Sequence, residues 1–198
     1  MSENITTGWD VLDASHQALR QVVRGVPAGG WDLPTPCERW NVTQVLQHAA
    51  GDQVGFAAFL TGEPGPAENP FEPSGELAED AQAYTEAAME RSARAWAGVD
   101  KNAEEVSVPV PPNKMAPALG VGACALDAAV HAWDIALATG QPSPLTPELA
   151  RELLPVAKSI VEPLRQWGAY AAVVPAEPGD DEVAELLRYL GRNPAWTA

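Results

Sequence analysis

Three side chains in this sequence have the types and spacing to bind a cation. Asp127 and His131 stand four apart within the apolar stretch from Gly120 to Gly140. On a helix they lie on one face, one turn above the other. Cys124 and Asp134 fall on the same stripe, among Val121, Ala125, Leu126, Val130, Trp133, Ile135 and Leu137. A helix this apolar is expected to be buried, and a buried carboxylate and imidazole each need a partner. His48 supplies the third side chain, because the sequence holds only 3 histidines. Bundles build metal sites from two ligands on one helix turn and another on a facing helix. Three protein ligands leave a coordination position open for water or substrate. Imidazole and carboxylate suit zinc, nickel, iron or cobalt alike. Asp52, near His48, and Asp134, near His131, are candidates to accept the N–H on the far side of each imidazole.

Every one of these residues also has a plainer reading. A lone D-x-x-x-H is a weak motif, and a histidine on an apolar helix is more often a hydrogen-bonded core residue than a ligand. His16 takes that reading, since it is centred in the stripe Leu12, His16, Leu19, Val23, Val26. Cys37 and Cys124 read as buried thiols, a free cysteine behaving as a small hydrophobe. Trp31, Trp40, Trp133, Trp167 and Trp196 read as packing residues.

The elements that must position these groups are helical. The 4-3-4-3 stripe predicts a first helix from Trp9 to Val26, ended by Pro27-Ala-Gly-Gly. The prolines between Asp32 and Trp40 predict extended chain. Asn41, answered by Gln44, opens a second helix with a capping box, running to about Leu60. Residues 62 to 75 read as a long surface loop, of the size that is often functional. Helical character returns from Glu76 to Val99. The run Val106 to Pro112 is an edge strand or simply extended chain. The central helix stops at Gly140, before Pro142 and Pro144. Thr146 and Pro147 start the next, in which Pro155 and Pro163 predict a kink or a division. Val173 to Asp180 is a loop, and Asp181 to Leu190 a short last helix closed by Gly191. The expected fold is all-α: residues 1–198 as one domain, an up-and-down four-helix bundle with short terminal additions.

Composition narrows the partners. With 12 Lys+Arg against 27 Asp+Glu, the net charge of −15 repels phosphate backbones and anionic membranes. No nucleic acid and no membrane are expected as partners. No uncharged apolar run reaches ~18–20 residues, and the start, Met1-Ser-Glu-Asn, lacks a basic leader. The 2 cysteines make no disulfide framework. A cytoplasmic protein is expected, and apolar helix faces left over from the core would suit a homodimer.

Three separated motifs carry a resemblance. They are Thr35-Pro-Cys-Glu-Arg-Trp-Asn-Val-Thr-Gln-Val-Leu-Gln-His48, Asp127-x-x-x-His-Ala-Trp-Asp134 followed by Ala136 and Gly140, and Leu190-Gly-Arg-Asn-Pro-Ala-Trp196. Together they resemble the DinB/YfiT-like superfamily over nearly the whole chain. The nearest branch contains the N-terminal, metal-binding domain of mycothiol-dependent maleylpyruvate isomerases. The resemblance implies an up-and-down bundle with a divalent metal, often zinc or nickel, near one end. A histidine at the position of His48 and a Glu-x-x-x-His pair would hold it. His131 matches that pair's histidine, but Asp127 stands at the glutamate position. One methylene shorter, it requires the site to contract, a water to bridge, or the metal to be lost, with Asp52 as a compensating carboxylate. The Thr35, Pro36, Cys37 turn would fix the approach to the metal-bearing helix.

Enzymes of this branch resemble S-transferases and isomerases that use a low-molecular-weight thiol such as mycothiol. The metal holds the thiol as thiolate, which attacks a small electrophile, and no protein nucleophile is needed. The isomerases carry a further C-terminal domain that the chain after the kinked helix is too short to supply. Maleylpyruvate isomerisation itself is therefore not expected. Two other functions remain open: a metal-dependent hydrolase that activates water, and a non-catalytic bundle with a degenerate metal site.

Overall fold

Four helices start where a side chain satisfies their first free N–H groups. The computed structural model describes residues 6–197, so the start of the chain, read above for a leader, lies outside the described residues. The helices are α1 (Asp10–Gly25), α2 (Val42–Thr61), α3 (Ala81–Ala97), α4 (Pro117–Ala138), α5 (Pro147–Gln166) and α6 (Glu182–Tyr189). A short antiparallel pair, β1 (Val106–Ser107) and β2 (Lys114–Met115), precedes α4. Asn41 and Gln44 form the expected capping box of α2, with both reciprocal bonds in place. Thr146 caps α5, Asp181 caps α6, and Asp80 caps α3. The third helix thus begins at Ala81 rather than Glu76, whose carbonyl is already committed to the Gln47 side chain.

The bundle proper is α1 to α4. α1 lies against α3 and α4, and so does α2, which puts α1 and α2 on opposite corners. Side-chain pairs give the sense of each helix. Arg20–Glu86 and Trp9–Trp96 set α1 antiparallel to α3. His48–His131 and Gln53–Cys124 set α2 antiparallel to α4. Gln47 reaches Glu76, just before α3, while Gln53 reaches Ser92, so α2 and α3 are parallel. The helices therefore run up, down, down, up. The parallel step is made by the segment 62–80, which returns along α2 and is tied to it by Gln44 and Gln47.

α4 is the hub, apolar on every side and buried along almost its whole length. By length and hydropathy it is the one described helix suited to cross a membrane, but most of that stretch is enclosed by the other helices. Gly122 lets α5 approach, since a Cβ there would lie 2.6 Å from Val156 Cγ2. α5 is a full-length helix rather than a short addition, and neither Pro155 nor Pro163 divides it. Both prolines are exposed, so the lost helix bonds face water, while Leu149, Leu153, Ala157, Ile160 and Val161 stay buried on the other side.

One polar layer crosses the core. Gln53 Oε1 lies 2.8 Å from His16 Nε2 and accepts from the Ser92 hydroxyl and the Cys124 thiol, both at 3.0 Å. Its amide donates to the Cys124 carbonyl. His16 and Cys124 are thus packed, hydrogen-bonded core residues, as the sequence suggested. Cys37 is only half-buried, and Trp167, at the end of α5, is exposed rather than packed.

Candidate metal centre

His48 on α2 and Asp127 and His131 on α4 converge near one end of the bundle. His48 Nε2 lies 3.3 Å and His131 Nε2 3.4 Å from the same oxygen, Asp127 Oδ1. The three donor atoms all fall within 4.8 Å of one another. Metal–ligand bonds of ~2.0–2.1 Å at tetrahedral angles put neighbouring donors about 3.3 Å apart. The two distances to Asp127 Oδ1 match that spacing. Asp127 Oδ2 is buried without a hydrogen-bond partner among the described residues, an orphaned acceptor beside the donor set.

Both imidazoles are held from behind. His48 Nδ1 donates to the Pro70 carbonyl at 2.9 Å, so the returning segment 62–80 orients a ring on α2. A Cβ at Gly51 would lie 2.9 Å from Pro70 Cγ, and only glycine there lets the segment come this close. His131 Nδ1 lies 2.9 Å from Asp134 Oδ2. With Nδ1 committed as a donor, Nε2 of each ring is the nitrogen left to face a cation. Trp40 packs on one side of the His48 ring at 4.7 Å between centroids, and the exposed Phe71 meets it edge-on at 5.5 Å.

Asp52 corrects the expectation made for it. It accepts no N–H from the rear of His48, a place taken by Pro70, and its Oδ2 instead stands 3.8 Å from Nε2, on the donor side. The backbone carbonyl won because the 62–80 segment is docked against α2 just where Nδ1 emerges. Burial and the negative charge of Asp127 push the Asp52 carboxyl up to about 7.

The remaining charges divide cleanly. Burial opposes charge on His48, but the hydrogen bond and charge of Asp127 outweigh it and raise its pKa. Burial likewise opposes charge on His131, and Asp127 and Asp134 together lift it well above the ordinary histidine value. Asp127 is held below the usual carboxylate range by the two imidazoles, against its burial. Asp134 is held low by the Arg192 guanidinium, again against burial. Cys37 donates its thiol to Asp134 Oδ2 at 3.2 Å.

Arg192, Cys37 and Pro70 had no part in the sequence-based site. The closing Leu190 to Trp196 motif contained Arg192, and the Thr35-Pro-Cys turn contained Cys37, but nothing in either spacing aims them at α4.

The fold and this donor set define a four-helix bundle with an inward His–Asp–His cluster. The family described as the mycothiol maleylpyruvate isomerase N-terminal domain matches residues 12–136, and the chain belongs to it. The match takes in His48, Asp52, Asp127, His131 and Asp134 and leaves α5, α6 and Arg192 outside. Two curated relatives are uncharacterized proteins of Mycobacterium tuberculosis, Rv0738 of strain H37Rv and MT0763 of strain CDC 1551. Each is 34% identical over 180 residues, covering 89% of this chain and 91% of the relative. No solved structure matches the chain.

Proposed function

We propose that His48, Asp127 and His131 hold a divalent ion, zinc or nickel, and that the protein is a metal-dependent S-transferase or isomerase. Its co-substrate is a low-molecular-weight thiol such as mycothiol, and its substrate a small electrophile. The observation that carries the metal reading is the convergence of two Nε2 atoms on one buried carboxylate oxygen, each ring being oriented from behind. Membership of a family described by mycothiol and maleylpyruvate isomerase supports the thiol half.

A bound divalent ion supplies positive charge that keeps a coordinated thiol deprotonated near neutral pH. The chain's own residues do the rest. Pro70 and Asp134 keep both Nε2 atoms turned inward. Asp52, whose carboxylate stands on the donor side of His48, would take up the proton the thiol gives up. Trp40 and Phe71 form an apolar rim beside His48 that suits the hydrocarbon part of an electrophile. Neither cysteine needs to be the nucleophile. Burial pushes the Cys124 thiol up to about 12, which keeps it inert.

The same Asp52 favours one other reading, a hydrolase in which it takes a proton from water instead. Turnover of esters or amides without added thiol would select that reading. For the S-transferase, purified protein should carry one metal ion per chain, lost in His48→Ala and in His131→Ala. It should also conjugate mycothiol to an alkylating chromophore in a chelator-sensitive way. Protein that takes up neither zinc nor nickel at neutral pH refutes the proposal.

A further inference from the structure

The one arginine hydrogen-bonded to Asp134 among the described residues comes from far along the chain. Arg192 lies 58 residues beyond it and outside the stretch that the family match covers. Its guanidinium forks onto the carboxylate, with Nε donating to Oδ1 at 2.9 Å and Nη2 to Oδ2 at 2.7 Å. The Asp134 side chain is 0% exposed and that of Arg192 10%. This is the bidentate geometry in which a guanidinium fixes the plane of a carboxylate as well as neutralising it.

The local fold aims Arg192 at this point. Gly191, at φ +81°, ends α6 in the left-handed region, and the Arg192 N–H returns to the Leu187 carbonyl at 2.8 Å. A Cβ at Gly191 would lie 2.8 Å from the Ala171 carbonyl oxygen, so the turn is wedged against the chain that follows α5. Cys37 adds a donor to Oδ2, itself held by Thr35, whose hydroxyl accepts from the Cys37 N–H. Asp134 therefore receives His131, Arg192 and Cys37 at once, and its carboxylate has one orientation that serves all three.

We propose that Arg192 is a positioning residue for the donor set. By fixing the plane of Asp134 it holds the His131 ring with Nε2 directed at Asp127 and His48. It also cancels the charge of Asp134, so that Asp127 and not Asp134 supplies the anion seen from the donor side. The inference rests on the metal reading for its consequence, but the ring orientation it explains can be measured without a metal. The distinction from ordinary structural pairing lies in Arg188. It sits on α6, one turn before Arg192, is comparably buried, and pairs with Glu177 and Asp180 at 3.1 and 2.8 Å without touching Asp134.

The experiment compares the full-length wild type with Arg192→Ala, Arg192→Lys and Arg188→Ala. In metal-free protein, the nitrogen-15 spectrum should show His131 with a slowly exchanging Nδ1–H in the wild type and Arg188→Ala. That signal should be lost in Arg192→Ala. Competition with a chelator should then show zinc binding weakened about 10–100-fold in Arg192→Ala, less in Arg192→Lys, and unchanged in Arg188→Ala. An unchanged His131 signal with wild-type affinity in Arg192→Ala overturns the inference. So does an equal loss in Arg188→Ala, which would mean that any loosening of the terminal helix suffices. If Arg192→Ala does not fold, Arg192→Lys decides: weakened binding supports the inference and wild-type binding overturns it. If the wild type takes up no zinc, the proposed function fails, and the His131 spectrum alone decides the role of Arg192.

Discussion

Metal affinity should climb steeply with pH, because an ion entering the site must displace a proton from each imidazole. Both Nδ1 atoms are committed to acceptors, and both Nε2 atoms face Asp127 Oδ1. In metal-free protein the second position on each ring is therefore best filled by a proton, in keeping with the raised pKa of His48 and the strongly raised pKa of His131. The sign follows. A raised histidine pKa stabilises the metal-free fold fully below the unfolded value of about 6.5, and that stabilisation is lost as pH rises through the folded value. The metal-bound state carries no proton at Nε2, so the same rise in pH favours it. Two displaced protons make affinity rise up to about 100-fold per pH unit while both rings are charged, roughly 2.7 kcal/mol between about pH 5.5 and 6.5. The slope should flatten above the raised pKa values. Calorimetry in two buffers of different ionisation heat counts the protons directly, and at least two should be released per zinc ion near pH 6, with Asp52 able to add a third. Release of none, with an affinity flat across this range, would mean that both rings are already neutral and would refute the reasoning. His16 does not confuse the comparison, because it lies in the core layer and keeps its state with or without metal.

Four further outcomes are expected. Replacing Gln53 by leucine strips the acceptor from His16, Ser92 and Cys124 together. It should cost about 3 kcal/mol or more in denaturant unfolding, and a loss under about 1 kcal/mol would mean the layer repacks. His16 itself, which burial lowers to about 4, should stay neutral in an imidazole titration until the pH nears that value. Its contribution to stability is present above about 6.5 and is lost as pH falls through the folded value. Gly51→Val should push Pro70 off α2 and take its carbonyl from His48, weakening zinc binding about 10-fold or more with little loss of helix content. Asp127→Glu should bring no large gain in affinity, since the donor spacing already suits a metal. A gain above about 100-fold, from a wild type that scarcely binds, would instead identify the aspartate site as degenerate.

Much of this protein is written in short-range signals. The capping box of Asn41 and Gln44, the Thr146-Pro147 start and the stop at Gly140 lie within a few residues of the bonds they form. The all-α bundle was readable for that reason. Asp127 and His131 were readable as a pair because one turn of helix fixes their separation, and His48 because few histidines compete with it.

Only the tertiary structure decided the rest, since the deciding contacts join distant parts of the chain. The parallel step from α2 to α3 depends on 62–80 docking along α2, which gives His48 its Pro70 acceptor 22 residues away. That docking fills the place behind His48 that Asp52 was expected to take. Pro155 and Pro163 read locally as breaks, yet packing of the opposite face holds α5 in one piece. Arg192 meets Asp134 across 58 residues and Cys37 across 155. The sequence by itself determined which helices form and which side chains could ligate. The packing of distant segments determined which atom holds each ring, because hydrogen-bond partners at such separations leave no periodic trace in the chain.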